Sequence, residues 1–536
     1  MVLESDVVIG SASHDASEVV DPYANKYIIS AAVTLAAVLQ LIDTSIVNVA
    51  IPHMMGTLGA TLDEIAWVST SYIIANVIVI PLTTWLSSFF GRQRYLTGSI
   101  LVFVGASFFC GASASLWELV FWRVIQGLGG GALLATAQAT LFESFPPEER
   151  GIGQAIFGVG LMVGPTVGPT LGGFIVDAYS WPWIFYINIP LGLVAAFMTW
   201  TYVKDVSHEV RARSVDVLGI VLLTLAVGSL QWMLERGERY DWFESRLVTS
   251  LAITSVLATV LLVWRELTID EPVIDFRVLA SRQLAPGVIF GTFLGLALFG
   301  SIFVLPVFLQ MLHGFTAEQT GWVILPGALA SAVSTALMGR IGTRLDARIF
   351  VSLGVALFVI SMWQLGQLPL DAGKQDFFWP LIIRGAGLGF IFVPLTTASV
   401  LGVPVQKLGP ATGMFNLMRQ LGGSLGIAIM ATLLSRFTNT SKSLLTEHVG
   451  IYDLNTVERL NGITHGLMSR GIDAFTAHRQ ALSIIDMQIS GQASVMAFSR
   501  IYIISGLLLL AGLPLLLIWR TGRTDAAGSA VMSDAH

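Results

Sequence analysis

An aspartate and an arginine lie inside two apolar segments of this 536-residue chain. Asp43 belongs to the stretch LIDTSIVNVAIP (41–52), and Arg123 follows Leu116 in a second apolar stretch. A carboxylate deep in hydrocarbon costs about 3 kcal/mol or more, and intramembrane charges usually pair. Asp43 is about seven residues, or ~10 Å, before the predicted end of the first span. Arg123 is about seven residues into the fourth span, which runs the other way, so the two charges share a depth.

Two chemical roles fit such a pair. One is a permanent structural ion pair. The other is a proton site, in which a conformational change alters the balance between burial and the neighbouring arginine, so that a proton enters from one side and leaves on the other. A proton moving inward gains ~2.3 kcal/mol per 100 mV, enough to drive uphill expulsion of another solute. We favour the second role, and the first remains open.

The composition identifies the elements that must hold these charges. The chain is 54% hydrophobic and 12% charged, whereas soluble domains carry about a quarter charged residues. Roughly fourteen apolar segments of about 20 residues follow one another, each long enough to cross a ~30 Å hydrocarbon core. Only helices and closed barrels satisfy their backbone polar groups in lipid. We therefore predict an all-α polytopic membrane protein with 14 transmembrane helices, embedded in the lipid bilayer.

Several classes of protein are disfavoured. Cys110 is the only cysteine, which excludes intramolecular disulfides and metal sites built on several thiolates. No basic block indicates nucleic-acid binding, and the first 26 residues lack the pattern of a cleaved signal peptide. No zinc-protease pair, P-loop or nucleophile elbow is present. We predict no catalytic residue, no metal and no cofactor, with an embedded enzyme or a scaffold as the alternative class.

The distribution of positive charge predicts the orientation. With the N-terminus in the cytoplasm, the inside loops carry about sixteen Lys and Arg, which fixes the orientation by the positive-inside rule. The short outside loops carry Arg236, Arg239, Arg246 and Lys374. We predict a multi-pass protein of the bacterial inner membrane with both termini cytoplasmic. The long outside loop 434–492 shows helix-like apolar spacing and is predicted to fold, lying on the outer surface.

The fifth span contains an unusual glycine and proline run, GVGLMVGPTVGPTLGG (158–173). Glycines at every fourth position form one stripe that lets another helix approach closely, and prolines remove hydrogen bonds and bend a helix. We predict a kinked, closely packed helix, with tight packing without motion as the alternative. The residues of the run that matter below are Gly160, Gly164, Pro165, Gly168, Pro169, Gly172 and Gly173.

Other polar residues inside or between spans are weaker candidates. Arg384, Arg419, Gln126 and Asn48 are candidates for lining an aqueous pathway, and hydrogen bonding between helices is the alternative for each. The short basic loop FFGRQRYL after the second span contains Gly91, Arg92 and Arg94, a candidate gating loop.

Taken together, these motifs resemble a known family. LIDTSIVNVAIP, RVIQGLGGGAL in the fourth span, GLMVGPTVGPTLGG in the fifth, and WPWIFYINIPLG (181–192) resemble the fourteen-span drug:proton antiporters of the major facilitator superfamily. The resemblance covers Tyr27 to Arg520. QWMLERG (231–237), DWF (241–243) and VPLTT (393–397) are similar to members that work with a periplasmic adaptor protein and an outer-membrane channel.

The resemblance implies two six-helix halves, an additional helix pair, and alternating access to a central cavity. The implied domains are an N-terminal tail (1–26), a first half (27–203), an insert (204–284), a second half (285–520) that includes the loop 434–492, and a C-terminal tail (521–536).

The resemblance also implies roles for particular residues. Asp43 is the implied proton site, Arg123 is implicated in coupling, and the glycine and proline run corresponds to the antiporter motif. The gating loop departs from the family pattern, because Ser88 and Thr84 replace an aspartate and a glycine. A cytoplasmic latch must then be weakened or rebuilt with other partners.

The predicted function is proton-coupled multidrug efflux, with small hydrophobic or amphipathic compounds and protons as the transported species. Export of a specific metabolite, siderophore or fatty acid is the alternative.

Overall fold

The computed structural model describes residues 25–146, 149–204, 216–269, 272–341, 346–400, 403–404, 407–450 and 452–519. Most of both predicted tails and part of the insert loop lie outside these residues. The helices are α1 (Lys26–Leu58), α2 (Leu62–Ile65), α3 (Trp67–Phe90), α4 (Arg92–Ala112), α5 (Leu116–Ser144), α6 (Arg150–Ala178), α7 (Trp183–Tyr186), α8 (Asn188–Tyr202), α9 (Val217–Arg236), α10 (Arg246–Thr268), α11 (Leu284–Val307), α12 (Ala317–Ile341), α13 (Ala347–Gly366), α14 (Phe378–Val400), α15 (Leu408–Glu447), α16 (Leu454–Met468), α17 (Ala474–Ala511) and α18 (Leu515–Ile518).

The helices match the predicted fold class. Thirteen stretches of the described residues are long and apolar enough to cross a membrane. α6, a 29-residue helix, lies between α1 and α12 and completes the fourteen. α7 and α8 together make the sixth span. The prediction of an all-α protein with fourteen spanning helices is confirmed.

The first helix is longer than predicted. α1 continues through Pro52 to Leu58 and ends at Gly59, whose φ of 62° is the left-handed conformation common after helix ends. Asp43 therefore lies near the middle of the helix, and its placement about seven residues from the end was wrong. The apolar pattern weakens after Ala50, but Pro52 did not end the helix.

The packing separates two bundles and a helix pair. In the first bundle, α1 contacts α5, α6 and α8, and α4 contacts α5 and α8. In the second bundle, α11 contacts α15 and α17, and α14 contacts α12 and α13. α9 and α10 pack on each other, and α9 reaches α3 and α15 at the rim of both bundles.

The two bundles meet closely at one face of the molecule, the face at which α1 begins, here called the amino-terminal face. A Cβ at Gly158 would lie 2.7 Å from Thr335, and Gly339 faces Ala155. Asn416 donates a hydrogen bond of 2.6 Å to Gln138. All these residues lie in the halves of α5, α6, α12 and α15 that are nearer this face. The bundles are therefore closed against each other there.

The segment 434–492 was predicted to lie on the outer surface, and this prediction was wrong. α15 runs unbroken for 40 residues and α17 for 38, about 60 Å and 57 Å at 1.5 Å per residue. A span needs about 20 residues. Both helices therefore project beyond the bundle on the opposite face, where α16 packs against α17. We call residues 440–488 the extension.

Candidate functional site

Asp43 and Arg123 are in contact, as their common depth predicted. Arg123 Nη1 lies 2.6 Å from Asp43 Oδ2, and the two side chains are 1% and 0% exposed. α1 supplies the acid and α5 the base. The first bundle therefore encloses a charged pair at its centre.

The Asp43 carboxylate is surrounded by hydrogen-bond donors. Its Oδ1 accepts hydrogen bonds of 2.8 Å from Gln126 and 2.8 Å from Asn188, while Oδ2 accepts from Arg123. Ser107 accepts a 2.7 Å hydrogen bond from the same Gln126 amide nitrogen. α5 and α8 thus supply three hydrogen bonds to the carboxylate of α1, which satisfies its buried charge, and Ser107 joins α4 to the network.

The Arg123 guanidinium also makes several hydrogen bonds besides the one to Asp43. Its Nε donates 2.9 Å to the main-chain carbonyl of Val68, and Nη1 donates 2.6 Å to Gln126. The guanidinium carbon lies 4.1 Å from the ring centroid of Tyr72 and 5.7 Å from that of Phe185. These cation–π contacts and hydrogen bonds hold the base against α3 as well as α1.

This arrangement has a definite chemical consequence. Oδ1 accepts two hydrogen bonds from neutral amides, whereas Oδ2 accepts its hydrogen bond from the charged guanidinium of Arg123. The negative charge of Asp43 holds the guanidinium in place, and the same guanidinium is anchored to α3 through the Val68 carbonyl. The geometry links the charge of one carboxylate to the packing of three helices.

Two residues of this site were missed by the sequence analysis. Asn188 lies in WPWIFYINIPLG, and its position in an apolar span was a usable signal. Ser107 in α4 has a short hydroxyl that gives no such signal. Gln126, predicted to line the pathway, is instead part of the Asp43 network, with its side chain 0% exposed.

The glycine stripe of α6 packs on the helix that carries Asp43. Cβ atoms added at Gly160 and Gly164 would meet Thr34 and Leu41 of α1. At Gly168 and Gly172, added Cβ atoms would meet Ser45 and Ile46, whereas at Gly173 the nearest atom is 4.0 Å away. Ser45 donates a 3.2 Å hydrogen bond to the carbonyl of Gly164. Since α6 also packs on α12, it joins the Asp43 helix to the second bundle. The helix is continuous through Pro165 and Pro169.

The remaining pathway candidates are dispersed. Asn48 is exposed on α1 and accepts a 3.2 Å hydrogen bond from Ser69 of α3. Arg384 and Arg419 are buried in the second bundle, away from the Asp43 network.

The sequence of this chain matches the model of a known protein family. The family model described as Major Facilitator Superfamily matches residues 33–427, a range that includes the Asp43 network and extends from α1 into α15. The chain belongs to the Major Facilitator Superfamily.

Curated relatives within the superfamily match nearly the whole chain. The multidrug export protein EmrB of Haemophilus influenzae is 33% identical, over 92% of this chain and 95% of its own length. EmrB of Escherichia coli K12 is 34% identical over 89% and 91%. The fatty acid resistance protein FarB of Neisseria gonorrhoeae is 30% identical over 90% and 94%.

Solved structures of the superfamily share the fold. The human organic anion transporter MFSD10 matches with a TM-score of 0.57 at 14% identity, over 90% of this chain and 99% of its own. The proton:xylose symporter XylE matches with a TM-score of 0.56 at 13% identity, over 92% and 99%. At these identities the likeness supports the superfamily fold alone.

The segment predicted as a gating loop is very short in the structure. The predicted loop is a single residue, Gly91, whose φ of 84° favours glycine, and Arg92 already begins α4. Arg92 forms an ion pair with Glu143 near the end of α5, while Arg94 is exposed. Glu143, an acid on another helix of the same bundle, thus pairs with Arg92, whereas the family pattern has an aspartate at the position of Ser88.

Proposed function

We propose that this protein is a proton-coupled efflux antiporter that expels hydrophobic or amphipathic toxic compounds across the inner membrane by alternating access. The observation that carries the proposal is the fully buried Asp43, which is paired with Arg123, a residue that is itself hydrogen-bonded to the Val68 carbonyl of α3. The names of the EmrB relatives support multidrug compounds as cargo. In this proposal the proton gradient is the energy source, no cofactor takes part, and the protein catalyses no covalent reaction.

The proposed orientation places the amino-terminal face in the cytoplasm, because the inside loops then carry the excess of Lys and Arg. The closed contacts Gly158–Thr335 and Asn416–Gln138 would then seal the cytoplasmic side. In this proposal the structure is a state that is closed towards the cytoplasm. The inward-facing state requires these contacts to separate.

The coupling follows from the hydrogen bonds of the site. Proton uptake at Asp43 neutralises the acid and displaces Arg123, which loosens the link from α5 to α3 through Val68. The α6 stripe then transmits the displacement of α1 to α12, because α6 contacts both. Release of the proton to the cytoplasm restores the pair and the packing that is closed towards the cytoplasm.

The function is tested with purified protein in proteoliposomes that carry an imposed pH gradient. We expect a lipophilic dye such as ethidium to accumulate against its own gradient and the accumulation to collapse when a protonophore is added. Dye transport at the same rate with and without the proton gradient would show that transport is not coupled to protons. A scaffold or an enzyme would move no dye at all.

A second candidate is export of a fatty acid. The FarB relative, whose name refers to fatty acid resistance, favours it at 30% identity. The same liposomes distinguish the two, since a dedicated exporter would move one class of compound only.

We further propose that the extension binds a periplasmic adaptor protein that leads to an outer-membrane channel. The extension reaches well beyond the bilayer and exposes large apolar side chains, with Tyr452 96%, Leu454 70% and Phe475 72% exposed. Exposed apolar side chains outside the membrane favour a protein partner.

Removal of residues 443–485 tests the adaptor site. Lys442 Nζ and Asp486 Oδ1 are 2.9 Å apart, so the helices are adjacent there and a short Gly-Ser linker can rejoin them. We expect unchanged dye transport in proteoliposomes and loss of drug resistance in intact cells with two membranes. Full resistance in cells that carry the shortened protein would rule out this site. The double variant Lys442→Ala, Asp486→Ala, with the extension intact, is the matched control.

A further inference from the structure

The second bundle contains buried positive charge without buried acid. Arg384 on α14 and Arg419 on α15 are 7% and 4% exposed. Between Leu284 and Ser441 the acidic residues are all at helix ends or in connections: Glu318, Asp346, Asp371 and Asp376. Arginine stays charged even when buried. Each guanidinium therefore lacks the kind of counter-charge that Asp43 gives Arg123.

Arg419 has hydrogen-bonding capacity to spare. Its Nη2 donates a 3.2 Å hydrogen bond to Asn416 Oδ1, and its Nε has no hydrogen-bond partner among the described residues. The guanidinium carbon lies 5.9 Å from the ring centroid of Phe299 on α11. An unsatisfied buried donor is costly unless something else binds it, and an apolar ring beside it suits the hydrocarbon part of an amphipathic molecule.

The position of Arg419 is at the seam between the bundles. Asn416, one turn earlier on α15, donates the 2.6 Å hydrogen bond to Gln138 of the first bundle. Gln138 in turn donates to Gln154 of α6 at 3.3 Å. Arg419 is therefore connected to the contacts that separate when the bundles move.

Arg384 is placed differently. Its Nη1 also has no hydrogen-bond partner among the residues that the structure describes. It lies near Tyr502 of α17, within the second bundle. Arg384 is a buried arginine like Arg419, but it does not lie at the contact between the bundles. It therefore serves as a control for Arg419.

We propose that Arg419 binds the anionic group of the transported compound, so that the cargo includes lipophilic carboxylates and sulfonates. The inference rests on the proposed efflux function and narrows its substrate class. A planar guanidinium with an open N–H suits an oxyanion. An anion bound to Arg419 would compete with Asn416 for the guanidinium. Because Asn416 also bonds Gln138, anion binding would affect the contact between the two bundles.

Two probes of equal chain length and opposite permanent charge test the proposal: octanesulfonate and octyltrimethylammonium. Their radiolabelled uptake is measured in proteoliposomes of the full chain under an imposed proton gradient. We expect Arg419→Gln to lower sulfonate transport at least about tenfold, the loss expected for one hydrogen bond to a charged group. Ammonium transport should not fall, and Arg419→Lys should retain part of the sulfonate rate.

The outcomes separate this proposal from the efflux function. If wild-type protein moves the ammonium and not the sulfonate, the anion site is wrong and efflux stands. If it moves neither probe nor ethidium, the efflux function itself fails. Arg384→Gln should change the transport rates of both probes by the same factor. An equal loss of both rates in Arg419→Gln would mean that Arg419 has a structural role. Should Arg419→Gln not fold, competition of octanesulfonate with ethidium on wild-type protein decides, and absence of competition overturns the proposal.

Discussion

Asp43→Asn is expected to reduce proton-driven export to the level of liposomes without protein. Asparagine preserves the size of the side chain and a carbonyl oxygen for Gln126 and Asn188, while its amide nitrogen faces Arg123, as the hydroxyl of a neutral acid would. It cannot take up or release a proton. The pH gradient then has no group through which to act at this site, and uphill ethidium transport in proteoliposomes is the measurement.

Controls distinguish lost coupling from lost folding. Downhill exchange of ethidium by Asp43→Asn should persist, because exchange needs alternating access and no net proton movement. Asp43→Glu, which keeps the acid, should retain part of the uphill rate. Uphill transport by Asp43→Asn at the wild-type rate would assign proton coupling to another residue.

The charged pair could be predicted because depth follows from counting residues along a helix. Asp43 and Arg123 were each about seven residues from predicted span ends, and they meet at 2.6 Å. The predicted end of the first span was nevertheless wrong, since α1 continues to Leu58. Among the partners beyond the pair, Gln126 and Asn188 are polar residues in apolar spans and had a sequence signal, whereas the Val68 main-chain carbonyl has none.

The extension shows a different limit. The polar residues after Leu434 led to the prediction of a loop that lies on the outer surface. Helix continuity depends on backbone breakers, and no Gly or Pro occurs between Gly426 and Glu447. The sequence thus contained the signal for a projecting helix.

The partner of Arg92 illustrates a third limit. Ser88 in place of the family's aspartate indicated that the arginine would need a new partner, and Glu143 on α5 takes that place. Many acids precede or follow Arg92 in the chain, and only the packing of α4 on α5 selects this one.

Arg123→Ala should be the most destabilising single change in the site. It leaves Asp43, 0% exposed, without its cation, and removing one partner of a buried pair costs ~3–5 kcal/mol. The contact with the Tyr72 ring and the hydrogen bond to Val68 are lost as well. Thermal unfolding of the purified protein measures the loss, and export in proteoliposomes should fall with it.

The double variant Asp43→Asn, Arg123→Ala separates stability from coupling. Removing the stranded charge should recover much of the stability lost in Arg123→Ala, because the remaining groups are neutral and hydrogen-bonded. Proton-driven export should stay absent, since no acid remains. A stable Arg123→Ala protein with wild-type export would show that the pair is dispensable. A double variant no more stable than Arg123→Ala would show that the loss came from Tyr72 and Val68 and not from the unpaired carboxylate.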